Sequence, residues 1–139
     1  MFHEMYFYKI MDTIYREQIL QHYKYPHNSN QLVDPQHTSC LENPTCGDKI
    51  CVDINFDSAG TVKEVGFYGQ GCAISQASAS MLSDKILEEK MTREQIKALI
   101  KDDILILIGI ELSPVRLKCA LLGLDALKGA IEREKIEDR

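Results

Sequence analysis

The chain has 139 residues, 45% of them apolar, which suits a single domain with one continuous core. Its formal net charge of −5 supplies no basic field, so nucleic acid and anionic membrane surfaces are excluded as main partners. The longest apolar stretch, residues 104–112, is interrupted by Gly109 and Glu111 and falls far short of the roughly 20 residues that cross a bilayer, so a soluble protein is expected.

The N-terminus lacks a basic region followed by an apolar run and a small-residue cleavage site, which makes a reducing cytoplasmic compartment the expectation. Thiols are then expected free or metal-bound. Residues 1–10, MFHEMYFYKI, read as a flexible or non-native extension, with Met11 a candidate start. From Met11, Ile14, Tyr15, Ile19 and Tyr23 step at helical spacing, and the pattern predicts a helix that stops near Tyr25-Pro26. A polar, turn-rich stretch follows through Pro35.

Two alternating runs, residues 49–56 and 61–68, flank the turn Asp57-Ser58-Ala59-Gly60 and predict an antiparallel hairpin. Gly69-Gln70-Gly71 then hands the chain to Cys72, and the Ala- and Ser-rich segment through Ser80 predicts a tightly packed helix. Thr92 with Gln95 matches a capping box and Met91 with Ile96 a hydrophobic staple, so a helix starts at Arg93. The all-apolar stretch from Leu105 to Ile108 is read as helix. Ser113-Pro114 supplies an N-cap and an N1 proline for a last helix carrying Leu117, Leu121, Leu124, Leu127 and Ile131. The tail, residues 132–139, mixes both charge signs and reads as a solvated end. The order helix, strands, helices predicts a single α+β domain over residues 1–139, its helices gathered on one face of a small sheet.

Five cysteines, at 40, 46, 51, 72 and 119, are an odd number without a CxxC pair, which fits neither a disulfide framework nor a zinc ribbon. Cys46-Gly47-Asp48 follows Asn43-Pro44, and its glycine lets both flanking side chains turn toward one point. Read alone, the triplet is better taken as a buried cysteine beside a turn aspartate. Cys72 opens a predicted helix, where the macrodipole favours a thiolate, and taken singly it is equally a structural cysteine in a glycine turn. Cys119 points away from the leucine stripe of the last helix, although Val115, Leu122 and Ala126 share its side and leave burial open. Arg116 and Lys118 flank it, placed to lower its pKa or to be solvated. Cys40 and Cys51 read as structural, and His3, His22, His27 and His37, none in a ligand-spaced pair, read as surface or capping residues.

Three thiols and a carboxylate make a four-donor set suited to zinc or to an iron–sulfur cluster, with Cys46, Asp48, Cys72 and Cys119 as candidate ligands. The fully ionised set carries −4, so Zn²⁺ and a [2Fe–2S]²⁺ core leave the same net charge and charge alone does not choose between them. The carboxylate is a harder partner than a fourth thiolate, which favours an exchanging site over a locked one.

Taken together, Asn43-Pro44-Thr45-Cys46-Gly47-Asp48, Gly69-Gln70-Gly71-Cys72-Ala73-Ile74-Ser75 and Ser113-Pro114-Val115-Arg116-Leu117-Lys118-Cys119-Ala120 resemble the IscU/SufU/NifU N-terminal family. His22-Tyr23-Lys24-Tyr25-Pro26 is similar to the exit of that family's first helix. The resemblance implies a SufE/NifU-like α+β fold with a three-stranded antiparallel sheet and about five helices. It implies an iron–sulfur cluster assembly role, with sulfur accepted from a PLP-dependent cysteine desulfurase and passed on toward apo iron–sulfur proteins. Cys46, Asp48, Cys72 and Cys119 match the family's ligand positions, for zinc or a transient [2Fe–2S] or [4Fe–4S] cluster, and Cys46 or Cys119 is the candidate persulfide acceptor. Lys118 stands where IscU proteins have histidine, as in SufU, whose zinc form acts as a sulfurtransferase. The 46 residues between Cys72 and Cys119 lack the extra stretch of SufU and match IscU in length, and Leu112 to Arg116 is not an LPPVK-type chaperone motif. Zinc-dependent sulfurtransferase and cluster scaffold are therefore both expected, with a purely structural zinc module for protein interaction as the alternative.

Overall fold

The structure is a computed structural model that describes residues 2–132, with side chains from residue 4. The His3 side chain and the tail reading beyond Glu132 lie outside the described residues. The elements run α1 (Phe2–Lys24), β1 (His37–Asn43), β2 (Asp48–Phe56), β3 (Val62–Gln70), α2 (Ala73–Glu88), α3 (Arg93–Lys97), α4 (Lys101–Ile108) and α5 (Pro114–Glu132). The three strands form one antiparallel sheet in the order β1-β2-β3, which is the α+β architecture expected. No helix among the described residues is long and apolar enough to cross a membrane.

Strand alternation decides what the sheet buries. On β2, Ile50, Val52, Ile54 and Phe56 point to one face and are all buried, together with Val65 and Phe67 of β3. α5 lies against β1 and β2, while α2 packs against β3 and α5. Leu82, Ile86, Ile96, Ile104, Ile108, Leu127 and Ile131 close one continuous core from the helix side. Asp48 begins β2 on this same inward face, so the strand that builds the core ends in a carboxylate.

Local signals behave as read. Thr92 Oγ1 accepts from Gln95 N at 3.2 Å, Gln95 Oε1 accepts from Thr92 N at 2.9 Å, and Met91 and Ile96 are both buried. Ser113 Oγ accepts from Arg116 N at 3.3 Å and starts α5.

Four expectations need correcting. Residues 2–10 are not a flexible lead but the first turns of α1, and the described side chains from residue 4 to 10 are all exposed. The stripe of α1 is only partly covered: Ile19 is buried, but Ile14 and Tyr23 are nearly half exposed, because α1 packs on α2 along a narrow seam. β1, which the sequence offers as no alternating apolar run, is an edge strand with His37, Ser39 and Asn43 turned inward. Finally, Cys40 and Cys51 are not free thiols. The register sets Cys40 directly opposite Cys51, and the two are joined as a disulfide on the sheet's outer face.

Candidate functional site

The inner face of the sheet, the start of α2 and the first turns of α5 converge at one end of the molecule. Between β1 and β2 the chain reverses through Asn43 to Gly47, held by Asn43 O accepting from Cys46 N at 3.2 Å and Gly47 N at 2.8 Å. Asn43 Oδ1 accepts from Thr45 N at 3.2 Å, an Asx turn that fixes the approach to Cys46. Gly47 has φ +74°, the left-handed conformation that glycine adopts at no steric cost. The reversal leaves Cys46 exposed at the tip and carries Asp48 inward to burial.

On the second segment, Gly71 is set by close approach rather than by a turn. A Cβ there would run into the Ser75 side chain and sit 3.4 Å from the Asp48 carboxyl carbon. That absence lets Cys72 N donate to Asp48 Oδ1 at 3.2 Å. Cys72 is the N-cap of α2, with Ser75 N donating to its Sγ at 3.5 Å. The third segment brings Cys119 from α5, with its Sγ 3.3 Å from Cys46 Sγ.

Donor atoms of Cys46, Asp48 and Cys119 lie within 4.8 Å of one another. Cys72 stands just outside that trio, tied to it through its backbone on Asp48 and by the effect of its sulfur on Cys119. Cys119 is 1% exposed, so the side of α5 that bears it is a packed face and not a free one. Burial pushes the Cys119 thiol far up from its ordinary value, and the Cys46, Cys72 and Asp48 groups beside it push the same way. Of the two alternatives for Arg116 and Lys118, lowering that pKa or being solvated, the second is observed, since both are exposed. Lys118 instead lines a cavity of about 90 Å³ with Asn43, Thr45, Pro114 and Val115, beside the Cys46 turn.

Two features of this cluster fit a metal cation. Asp48 Oδ2 is buried without a hydrogen-bond partner, a costly state for an oxygen that a cation would satisfy. Two thiols and a carboxylate crowd one point, a donor set that a cation would hold together. Three soft sulfurs and one hard oxygen suit zinc, and equally the terminal positions of an iron–sulfur cluster. Asn43 was missed as a site residue. Its Nδ2 donates toward Cys46 Sγ at 3.6 Å, and the one available sign was its place at the head of the Asn-Pro-Thr-Cys turn.

The fold and the cluster define a class: a small α+β domain whose central strand ends in a carboxylate beside three cysteines drawn from three segments. The chain belongs to the NifU-like N-terminal domain family, which matches residues 14–137. It is 35% identical over 140 residues to the zinc-dependent sulfurtransferase SufU of Bacillus subtilis (strain 168), covering 90% of this chain and 94% of that protein. It is 32% identical to the iron–sulfur cluster assembly scaffold protein IscU of Streptococcus pyogenes serotype M1, covering 88% and 86%. Among solved structures, a hypothetical protein superposes with a TM-score of 0.71 at 31% identity, over 88% of this chain and 99% of that one. The N-terminal part of a NifU-like protein from Brucella abortus shares the fold with a TM-score of 0.70 at 22% identity, over 91% of this chain and 97% of that one.

Proposed function

We propose that the chain is a U-type iron–sulfur cluster assembly protein of the cytoplasm, accepting sulfur from a PLP-dependent cysteine desulfurase at Cys46, Asp48, Cys72 and Cys119. The observation that carries this reading is the 3.3 Å contact between Cys46 Sγ and Cys119 Sγ beside the partnerless Asp48 oxygen. Exposure divides the labour among the thiols. Cys46, at the tip of its turn, is the accessible nucleophile, while buried Cys119 is a holding group.

Sulfur transfer then runs from thiolate to persulfide. The Cys46 thiolate attacks the outer sulfur of the desulfurase persulfide, the donor's S–S bond breaks as the new one forms, and the donor cysteine leaves as thiolate. Bound at the four donors, zinc would keep the thiols deprotonated at neutral pH. Gly47 supplies the turn that presents Cys46, and Asp48 anchors the start of α2 through Cys72 N. The likeness to a protein named a zinc-dependent sulfurtransferase supports this form. Cys46→Ala is expected to abolish stimulation of alanine production by the desulfurase. Normal stimulation by that variant would refute the mechanism.

A second reading is favoured by the short segment between Cys72 and Cys119 and by the likeness to a named scaffold. The same four residues would hold a nascent cluster as cargo for apo iron–sulfur proteins. Anaerobic reconstitution followed by visible absorption tests it, and tight stoichiometric zinc with no cluster spectrum counts against it. The structural zinc module has less support, because the chain builds a continuous apolar core of its own.

A further inference from the structure

Away from the sulfur cluster, the end of α1, the loop after it and the middle of α2 bring two imidazoles and a carboxylate together. His22, His27 and Asp84 each offer a donor atom within 4.8 Å of the others. The two ring centroids are 4.7 Å apart, tilted by 55°. The histidines are in no ligand-spaced pair in the sequence, where they read as surface or capping residues; the fold brings His22 and His27 together. Asp84 lies twelve residues along α2 from Cys72, about 18 Å at 1.5 Å per residue, so this cluster is not an extension of the first.

Neighbouring groups hold the three in place. Ser80 Oγ meets His22 Nδ1 at 2.7 Å and accepts the His27 backbone N–H at 2.8 Å, so one hydroxyl orients both histidines. His27 Nδ1 lies 2.6 Å from Asp84 Oδ2. Asn28, in a left-handed conformation at φ 52°, donates to Ser83 Oγ at 2.9 Å and to Asp84 Oδ1 at 3.4 Å. Each ring thus has Nδ1 engaged and Nε2 without a partner among the described residues. For His22 the engaging group, Ser80, lies outside the trio, which is how metal-binding histidines are fixed, whereas His27 is held by Asp84 itself.

Asp84 meets His27 directly, and His22 stands beside both with a donor atom in reach, so a cation bound among them would use all three donors. His22 and Asp84 also line a groove of about 570 Å³ with Glu17, Lys85 and Glu88 on its walls, leaving room for water and a surplus of negative charge.

We propose that His22, His27 and Asp84 form a second, cysteine-free site for a first-row divalent cation, zinc or ferrous iron, with water filling the remaining positions. Two imidazoles and one carboxylate with open positions are ligand chemistry that both ions share. The test uses the full chain, given one equivalent of zinc for the thiols and then titrated with Co²⁺ as a spectroscopic probe. A second equivalent should bind with weak visible bands and no thiolate-to-cobalt charge transfer in the near ultraviolet. His27→Gln and Asp84→Asn should each lose that equivalent, with circular dichroism and the first equivalent unchanged. Anaerobic titration with Fe²⁺, competed by Zn²⁺, identifies the preferred ion. A chain that takes one metal only, a second equivalent with thiolate charge transfer, or one that persists in both variants overturns the proposal. Cys46→Ala should alter the first equivalent alone, so failure of this site and failure of the sulfur site are read separately.

Discussion

Asp48 gives one carboxylate oxygen to the Cys72 N–H and keeps the other buried and unpaired. Asn in its place retains the shape and the bond to Cys72 but removes the anionic donor. Asp48→Asn is therefore expected to fold normally and to weaken zinc binding by at least ~10-fold, measured by competition with a chromophoric chelator. Cys119 makes a different prediction. Its thiol is held neutral by burial, so in metal-free protein the stability it contributes is complete below its ordinary value of 9.0 and is lost as the pH rises toward its higher folded value. Zinc must displace that proton, and calorimetry in buffers of different ionisation enthalpy should show at least one proton released per zinc at neutral pH. That Cys46, Asp48 and Cys119 come together was legible in the sequence from motifs in order. The burial of Cys119 was not, because α5 is packed on both its leucine side and its cysteine side, with Leu122, Ala126, Leu124 and Leu127 all buried. Periodicity marks a face only when the other face is wet.

Elements with strong local chemistry were readable from the chain: the 49–56 and 61–68 hairpin, the Thr92 capping box and the Ser113-Pro114 start. β1 was not, since His-Thr-Ser-Cys-Leu-Glu-Asn lacks apolar alternation and becomes a strand through pairing with β2. That pairing is also what exposed the Cys40–Cys51 disulfide, invisible without the register. Alkylation followed by mass spectrometry should find three modified cysteines in denatured, unreduced, metal-free protein and five after reduction. Finding five without reduction would refute the bond. The junction of β3 and α2 carries another prediction. Gly71→Ala forces a Cβ against Ser75 and Asp48, which should cost about 1–3 kcal/mol in urea unfolding and lower zinc content together with stability.

At the scale of the whole molecule, the core is one continuous apolar cluster, and of the three site cysteines only Cys119 is buried against it. Removing metal with a chelator should leave the far-ultraviolet dichroism and a cooperative melt in place, whereas a structural zinc module would unfold. Leu127→Ala, at a fully buried position under the sheet, should cost about 2–5 kcal/mol by thermal melting, a loss independent of metal. Deleting residues 1–10 should change neither measurement, since the described side chains there are exposed.

Asp48, Ile50, Val52, Ile54 and Phe56 share one face of β2, and this has a consequence for fidelity. A slip of one residue between strands would turn the whole row over, sending the aliphatic side chains to water and the carboxylate away from the cysteines at once. Under the proposed function, a misregistered chain would be unable to load, and possession of cargo would certify that the sheet has been assembled in its native alignment.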